Sequence, residues 1–335
     1  MFRILSSILL SLLLAASALA QAKAKAENVP EIPYDSVPNF LKLPDNVYLG
    51  EGIGVATNSK GHIFVYTRSG DTRLFEFDQN GVFVREIGQG NYGFEFAHAV
   101  RVDAQDNIWA VDEGSNMVIK FSPEGRVLMV IGRRPENIDG LVSGGPALQA
   151  LPYIFNRPTD VGWDAQGNIF VTDGYGNSRV VKFDKNGRFL KMAGTRGNQQ
   201  GQLNLPHTMA MDAQGNVYVG DRSNNRVQVF DNDLNFKAIY DNVGSPWAVC
   251  VSPGPHQYLF VSNSLPDNGL SQFRDITGEI YKMELDGTII GKFGKAGKQL
   301  KEFSTVHEID CRNPNELYVA EITAFRIQKI LLKSK

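Results

Sequence analysis

Cysteine is almost absent from this sequence: Cys250 and Cys311 are the only two in 335 residues. Two thiols cannot build a disulfide scaffold, so the chain must bury an apolar core of its own. An oxidising compartment would allow the pair to join. They stand at different offsets within the repeats described below, however, and the expectation is two separate thiols. An excess of one charge is also missing. Thirty-four Lys and Arg against 36 Asp and Glu give a net charge of −2, without the basic face that a general nucleic-acid binder needs. Long apolar runs are confined to the first twenty residues, so nothing downstream reads as a membrane span. Histidine is scarce too, with five in the chain, and their placement carries most of the functional argument.

Residues 1–20 place Arg3 ahead of an apolar run that ends Ala18-Leu19-Ala20. This is the pattern of a secretory signal with an Ala-x-Ala-like cleavage site. An uncleaved anchor helix is the other reading, although the run is short for a span. No cysteine stands at the cleavage site, which argues against a lipoprotein anchor. Cleavage after Ala20 would leave 315 residues with 33 basic and 36 acidic groups, a net charge of −3. The expected product is soluble and exported, periplasmic or secreted. Residues 21–36, rich in Ala, Lys, Glu and Pro, read as a flexible lead-in to a single domain over 37–335.

What the chain has in quantity is turn residues, 33 Gly and 15 Pro, between short runs of Val, Ile, Phe and Tyr. That balance favours an all-β chain. One segment recurs: Asn58-Ser-Lys-Gly-His-Ile-Phe-Val, Asp103-Ala-Gln-Asp-Asn-Ile-Trp-Ala, Asp164-Ala-Gln-Gly-Asn-Ile-Phe-Val and Asp212-Ala-Gln-Gly-Asn-Val-Tyr-Val. Looser copies begin at Ser252 and Arg312. A second strand follows each, such as Arg179-Val-Val-Lys-Phe or Arg226-Val-Gln-Val-Phe, and then a turn into a further strand. Four strands per unit, A to D, at spacings of 45, 61, 48, 40 and 60 residues, predict a six-bladed β-propeller. A β-sandwich or a solenoid is the structural alternative. The last unit stops after strand C near Leu332. Residues 38–48 are expected to supply its missing outer strand and remove an exposed edge.

Five residues before each repeat start lies the beginning of strand A, the innermost strand. Those positions are Ile53, His98, Thr159, His207, Trp247 and His307. Three histidines thus occupy blades 2, 4 and 6, about 120° apart around a six-fold ring. Three imidazoles with an open fourth position form a catalytic zinc arrangement. The alternative is that three polar side chains line a wet channel, but alternate-blade phasing favours metal. His62 and His256 fall in A–B turns at the opposite face. Arg68 and Arg222 sit at equivalent repeat positions at the end of strand B, on the histidine face. Tyr175 lies one position further along in blade 3. Two guanidiniums would suit a substrate carboxylate, and a Tyr beside them could act as a base. A salt bridge to a neighbouring blade is the competing role for each Arg, and packing in a turn for Tyr175. Insertions at 133–157 and 262–277 belong to the same face as plausible pocket walls.

At these residues the chain resembles the peptidyl-α-hydroxyglycine α-amidating lyase family, six-bladed propellers related to NHL repeats. The resemblance runs from about residue 48 to 332. Pro158-Thr-Asp-Val, Asp173-Gly-Tyr-Gly-Asn-Ser-Arg, Leu205-Pro-His-Thr-Met-Ala and Asp221-Arg-Ser-Asn-Asn-Arg-Val-Gln carry it, in the family's order. It implies a catalytic zinc on His98, His207 and His307, a catalytic Tyr175, and active-site arginines Arg68 and Arg222. It also implies a structural calcium held by Glu308 and the backbone carbonyls of Val55 and Val100, although family members carry Asp where this chain has Glu308. Asn156, Gly176, Val217 and Val229 stand near the family's disulfide positions, so both animal bridges are absent. The copper hydroxylating domain to which animal members are usually fused has no room here.

The implied reaction cleaves the N–C bond of a peptide ending in α-hydroxyglycine, giving a peptide amide and glyoxylate. Implied partners are a small peptide-like substrate and a separate hydroxylating enzyme. A monomer is expected, and charge balance and the apolar runs predict no nucleic acid and no membrane after signal cleavage. Two other functions stay open. One is a zinc lyase or hydrolase acting on a different small exported substrate. The other is a non-catalytic NHL-type propeller that binds protein, peptide or glycan on its loop face.

Overall fold

The computed structural model describes residues 28–134, 151–264 and 278–333. The leader, the start of the lead-in and most of both insertions lie outside the described residues. The rest forms six four-stranded antiparallel sheets arranged as blades. Their inner strands are Glu51–Thr57, Ala97–Val102, Asp160–Trp163, Pro206–Met211, Pro246–Val251 and Val306–Asn313.

The repeated Asp-Ala-Gln-Gly-Asn segment is the A–B turn. Asp164 Oδ1 accepts the N–H groups of Gln166 and Asn168, and Asp212 Oδ1 those of Gln214 and Asn216. This is an Asx-type turn, in which a short acidic side chain replaces a backbone acceptor. The fourth residue takes a left-handed conformation, φ 81° at Gly167 and 83° at Gly215, which explains its glycine. Blade 2 places Asp106 there at φ 62°, a side chain that tolerates this region.

Apolar residues on facing sheets interdigitate between blades. Trp109, Val111 and Val118 of blade 2 pack on Val161, Ile169 and Val181 of blade 3 in one buried cluster. Burial of such surface is the main force closing the ring.

The closing strand differs from expectation. Tyr34–Val37, at the end of the expected lead-in, pairs with Arg326–Leu332 to complete blade 6. Tyr34 explains the choice, since its ring lies 5.3 Å from Phe293 and 6.3 Å from Phe303. Ser36 Oγ also donates to Gln328 Oε1 at 2.6 Å. The predicted segment instead crosses the outer turn of blade 1, where Lys42 N–H donates to Gly81 O and the Lys42 carbonyl accepts from Phe83 N–H.

The cysteines also depart from expectation, because Cys250 and Cys311 form a disulfide between the inner strands of blades 5 and 6. The register of strand A in blade 6 shifts between Asp310 and Asn313, so offset counting along a regular strand misplaces Cys311. The bridge spans a sequence separation of 61 residues, for which loop-closure entropy gives about 4 kcal/mol. Replacing both cysteines with Ser is expected to lower the denaturant midpoint accordingly. An unchanged midpoint would show that packing alone holds these strands.

Candidate metal centre

His98, His207 and His307 meet on the axis. Each pair of ring centroids is 4.7 Å apart, an equilateral arrangement, and their ligating atoms lie within 4.8 Å of one another. Among the described residues this is the one group of three or more His, Cys, Asp or Glu side chains close enough to share a metal. The local cause is a β-bulge. His98 falls between the paired residues Ala97 and Ala99, His207 between Pro206 and Thr208, and His307 between Val306 and Glu308. An extra residue in the inner strand re-aims its side chain, here into the channel.

The other three ring positions hold the imidazoles. His98 Nδ1 meets Thr159 O at 2.6 Å, His207 Nδ1 meets Trp247 O at 2.7 Å, and His307 Nδ1 meets Ile53 O at 2.9 Å. A carbonyl only accepts, so each Nδ1 carries the proton and each Nε2 presents a lone pair. Burial holds all three well below the usual imidazole range, with neighbouring His307 and Arg68 adding to it at His98 and Arg222 at His207. The Nε2 atoms of His98 and His207 are buried without a hydrogen-bond partner. Neutral imidazoles with backbone carbonyls behind them and orphaned lone pairs in front fit zinc.

Tyr175 stands beside this triad, its ring 5.5 Å from His98 and 6.2 Å from His207. Its loop is tied down by Asp173, which accepts from Asn177 Nδ2 at 2.7 Å and Arg179 Nε at 2.9 Å. The conspicuous Asp and Arg of that motif are therefore structural, and Tyr175 is what they present. Arg222 lies over Trp247 at 4.0 Å and 5.9 Å from the Tyr175 ring, and its Nη1 is buried without a hydrogen-bond partner. Arg68 is committed differently: Nε donates to Glu51 Oε2 at 2.8 Å and Nη1 to Ala97 O at 3.3 Å, with Phe96 stacked beneath.

Glu308 follows His307 but points down the channel, where its Oε2 accepts the Val100 N–H at 3.2 Å. Burial pushes its carboxyl well up, opposed by Arg101. Val55 and Val100 are fully buried on the inner strands of blades 1 and 2. His62 and His256 stay away from the triad, bound to Glu76 at 2.7 Å and Glu284 at 2.8 Å.

Two neighbours escaped the sequence argument. Glu113 Oε2 lies 3.7 Å from His98 Nε2. It follows Asp112 as Arg222 follows Asp221, so the same repeat column that gave the arginines would have found it. Arg157 lies 4.4 Å over the Tyr175 ring. Its φ of 58° and the bond from its N–H to Asn116 Oδ1 at 2.6 Å set that pose, and no pattern in the sequence signals it.

Fold and site together define a six-bladed propeller with an axial tri-histidine centre. The NHL repeat model matches residues 155–183 and 203–230, in blades 3 and 4. A Caenorhabditis elegans protein described as a probable peptidyl-alpha-hydroxyglycine alpha-amidating lyase is 30% identical over 213 residues, 56% of this chain and 57% of that one. Rat peptidylglycine alpha-amidating monooxygenase is 26% identical over 92% of this chain, which spans 30% of it. Mouse NHL repeat-containing protein 3 is 28% identical, covering 85% of this chain and 80% of that one. A solved gluconolactonase from Xanthomonas campestris shares the fold at TM-score 0.60 with 15% identity, over 93% of this chain and 97% of that one. The chain is an NHL-like propeller related to the peptidylglycine-amidating lyases and monooxygenases.

Proposed function

We propose that the protein is a zinc-dependent carbon–nitrogen lyase that converts a peptidyl-α-hydroxyglycine-like substrate to an amide and glyoxylate. The observation that carries this is the triad: three neutral imidazoles, each fixed through Nδ1, with their Nε2 atoms converging beside Tyr175 and Arg222. Zinc on those nitrogens would supply Lewis acidity and lower the pKa of a hydroxyl placed there.

The chain's own groups account for the rest. Tyr175 Oη takes the α-hydroxyl proton as the base. The C–O bond then becomes C=O while the C–N electron pair leaves with the amide nitrogen, which is protonated to complete the amide. The guanidiniums of Arg157 and Arg222 lie 4.4 and 5.9 Å from the ring, placed to offset negative charge that develops in the reaction. For the substrate carboxylate, Arg222 has the stronger claim, because its Nη1 lacks a protein acceptor while Arg68 already serves Glu51 and Ala97. Arg222→Gln is expected to lower kcat/KM roughly 10–100-fold, the worth of a charge-assisted bond, with zinc content unchanged. Equal loss in Arg68→Gln and none in Arg222→Gln would reverse the assignment.

Export to the periplasm or beyond belongs to the same proposal, supported by the leader-like residues 1–20 and by a disulfide suited to an oxidising compartment. The test is glyoxylate release from a peptidyl-α-hydroxyglycine by zinc-loaded protein. Zinc bound without glyoxylate release would leave a metal lyase or hydrolase of another substrate. No zinc taken up on reconstitution would leave a binding propeller.

A further inference from the structure

Arg101 stands on the inner strand of blade 2, three residues beyond His98. Its guanidinium forks onto Asp160 of blade 3, with Nε 3.0 Å from Oδ1 and Nη2 2.6 Å from Oδ2. Nη1 lies 3.1 Å from Glu308 Oε1 and 3.5 Å from Ile309 O, both in blade 6. The Glu308 contact is ionic in distance without hydrogen-bond alignment. Asp160 also accepts Thr208 Oγ1 at 3.0 Å and Met209 N–H at 2.9 Å from blade 4. Arg101 thus links the inner strands of three blades, and through Asp160 the pair reaches a fourth.

The family resemblance implies a calcium at this level, on Glu308 and the carbonyls of Val55 and Val100. The residues present do not fit that ion. Calcium takes about six to eight oxygens and no neighbouring positive charge. Here the single carboxylate of the set already faces a guanidinium and accepts a backbone N–H. The channel is open on the far side, where Arg101 lines a cavity of about 340 Å³ with Trp163, Met209 and Arg312. Calcium would therefore be excluded by charge rather than by closure.

We infer that Arg101 is the resident cation of the channel, an internal guanidinium that ties the blades together in place of calcium and leaves this propeller independent of that metal. The Asp160 and Glu308 side chains are 2% and 3% exposed. Without the guanidinium they would be buried carboxylates lacking a counter-charge, the costly half of a broken ion pair.

The test uses zinc-loaded full-length protein desalted into calcium-free buffer. Wild type is expected to hold no stoichiometric calcium by elemental mass spectrometry and to melt at the same temperature with and without millimolar calcium. Arg101→Ser is expected to melt roughly 6–10 °C lower and to recover part of that loss when calcium is added. Arg101→Lys keeps the charge and covers the case in which the Ser variant fails to fold; it is expected to stay indifferent to calcium. About one calcium per wild-type chain, a wild-type melting temperature that rises with calcium, or a calcium-requiring Arg101→Lys would each overturn the inference. So would an Arg101→Ser protein as stable as wild type in calcium-free buffer.

Discussion

His207→Ala is expected to lose bound zinc and, with it, all measurable turnover. The wild-type site offers three Nε2 lone pairs at mutual distances set by bulges in blades 2, 4 and 6. Two remaining imidazoles would leave half of a tetrahedral shell to water. Loss of an outer partner of a metal ligand alone typically costs 10- to 100-fold in affinity, so loss of the ligand itself should exceed about 100-fold. The change also removes a buried ring that packs 5.0 Å from Trp247, and some loss of stability is expected. Metal-stripped wild type separates the two effects, since it lacks zinc but keeps the packing. Elemental mass spectrometry of wild type and variant, purified in parallel without chelators, is the measurement. A His207→Ala protein that retains about one zinc per chain would remove the triad from the account.

The blades were legible in the sequence because one turn repeats with its chemistry intact. Asp103, Asp164 and Asp212 each accept backbone N–H groups two and four residues on, and that requirement keeps the same letters at each copy. Counting back from those turns placed the three histidines correctly. The count says nothing about where the side chains point, however, because a bulge at each histidine sets that direction. The same kind of irregularity hid the Cys250–Cys311 bridge. The closing strand was misplaced because Tyr34–Val37 is short and carries no alternating pattern; its register is set by distant Phe293 and Phe303. Arg157 and Arg101 were invisible for a further reason. Each is held by a partner on another blade, Asn116 for Arg157 and Asp160 for Arg101, and proximity across blades leaves no periodicity along the chain. Glu113 differs again: it shares the repeat column of Arg68 and Arg222, but an acid there does not match the basic chemistry that marks the column.

Tyr175→Phe is expected to keep zinc and lose turnover, and this separation is the sharper test of the chemistry. The phenol hydroxyl is not among the triad's ligands, and the ring contacts with His98, His207 and Arg157 survive in Phe. Fold and metal content should therefore stay close to wild type. What disappears is the phenol oxygen that the proposed mechanism uses as its base. A positioned general base contributes about 10²- to 10⁴-fold, so kcat should fall within that range or below it. The pH profile adds an independent readout. A phenolate base makes the rate rise with pH on its acid limb, because only the deprotonated form accepts the proton, and the Phe variant should lack that dependence. Arg157→Gln offers a graded comparison, since it removes positive charge from the ring without touching the hydroxyl. It should lower kcat by less than Tyr175→Phe does and leave zinc in place. A Tyr175→Phe protein with near wild-type turnover would assign the proton transfer elsewhere. Glu113, 3.7 Å from His98 Nε2, would then be the first residue to test.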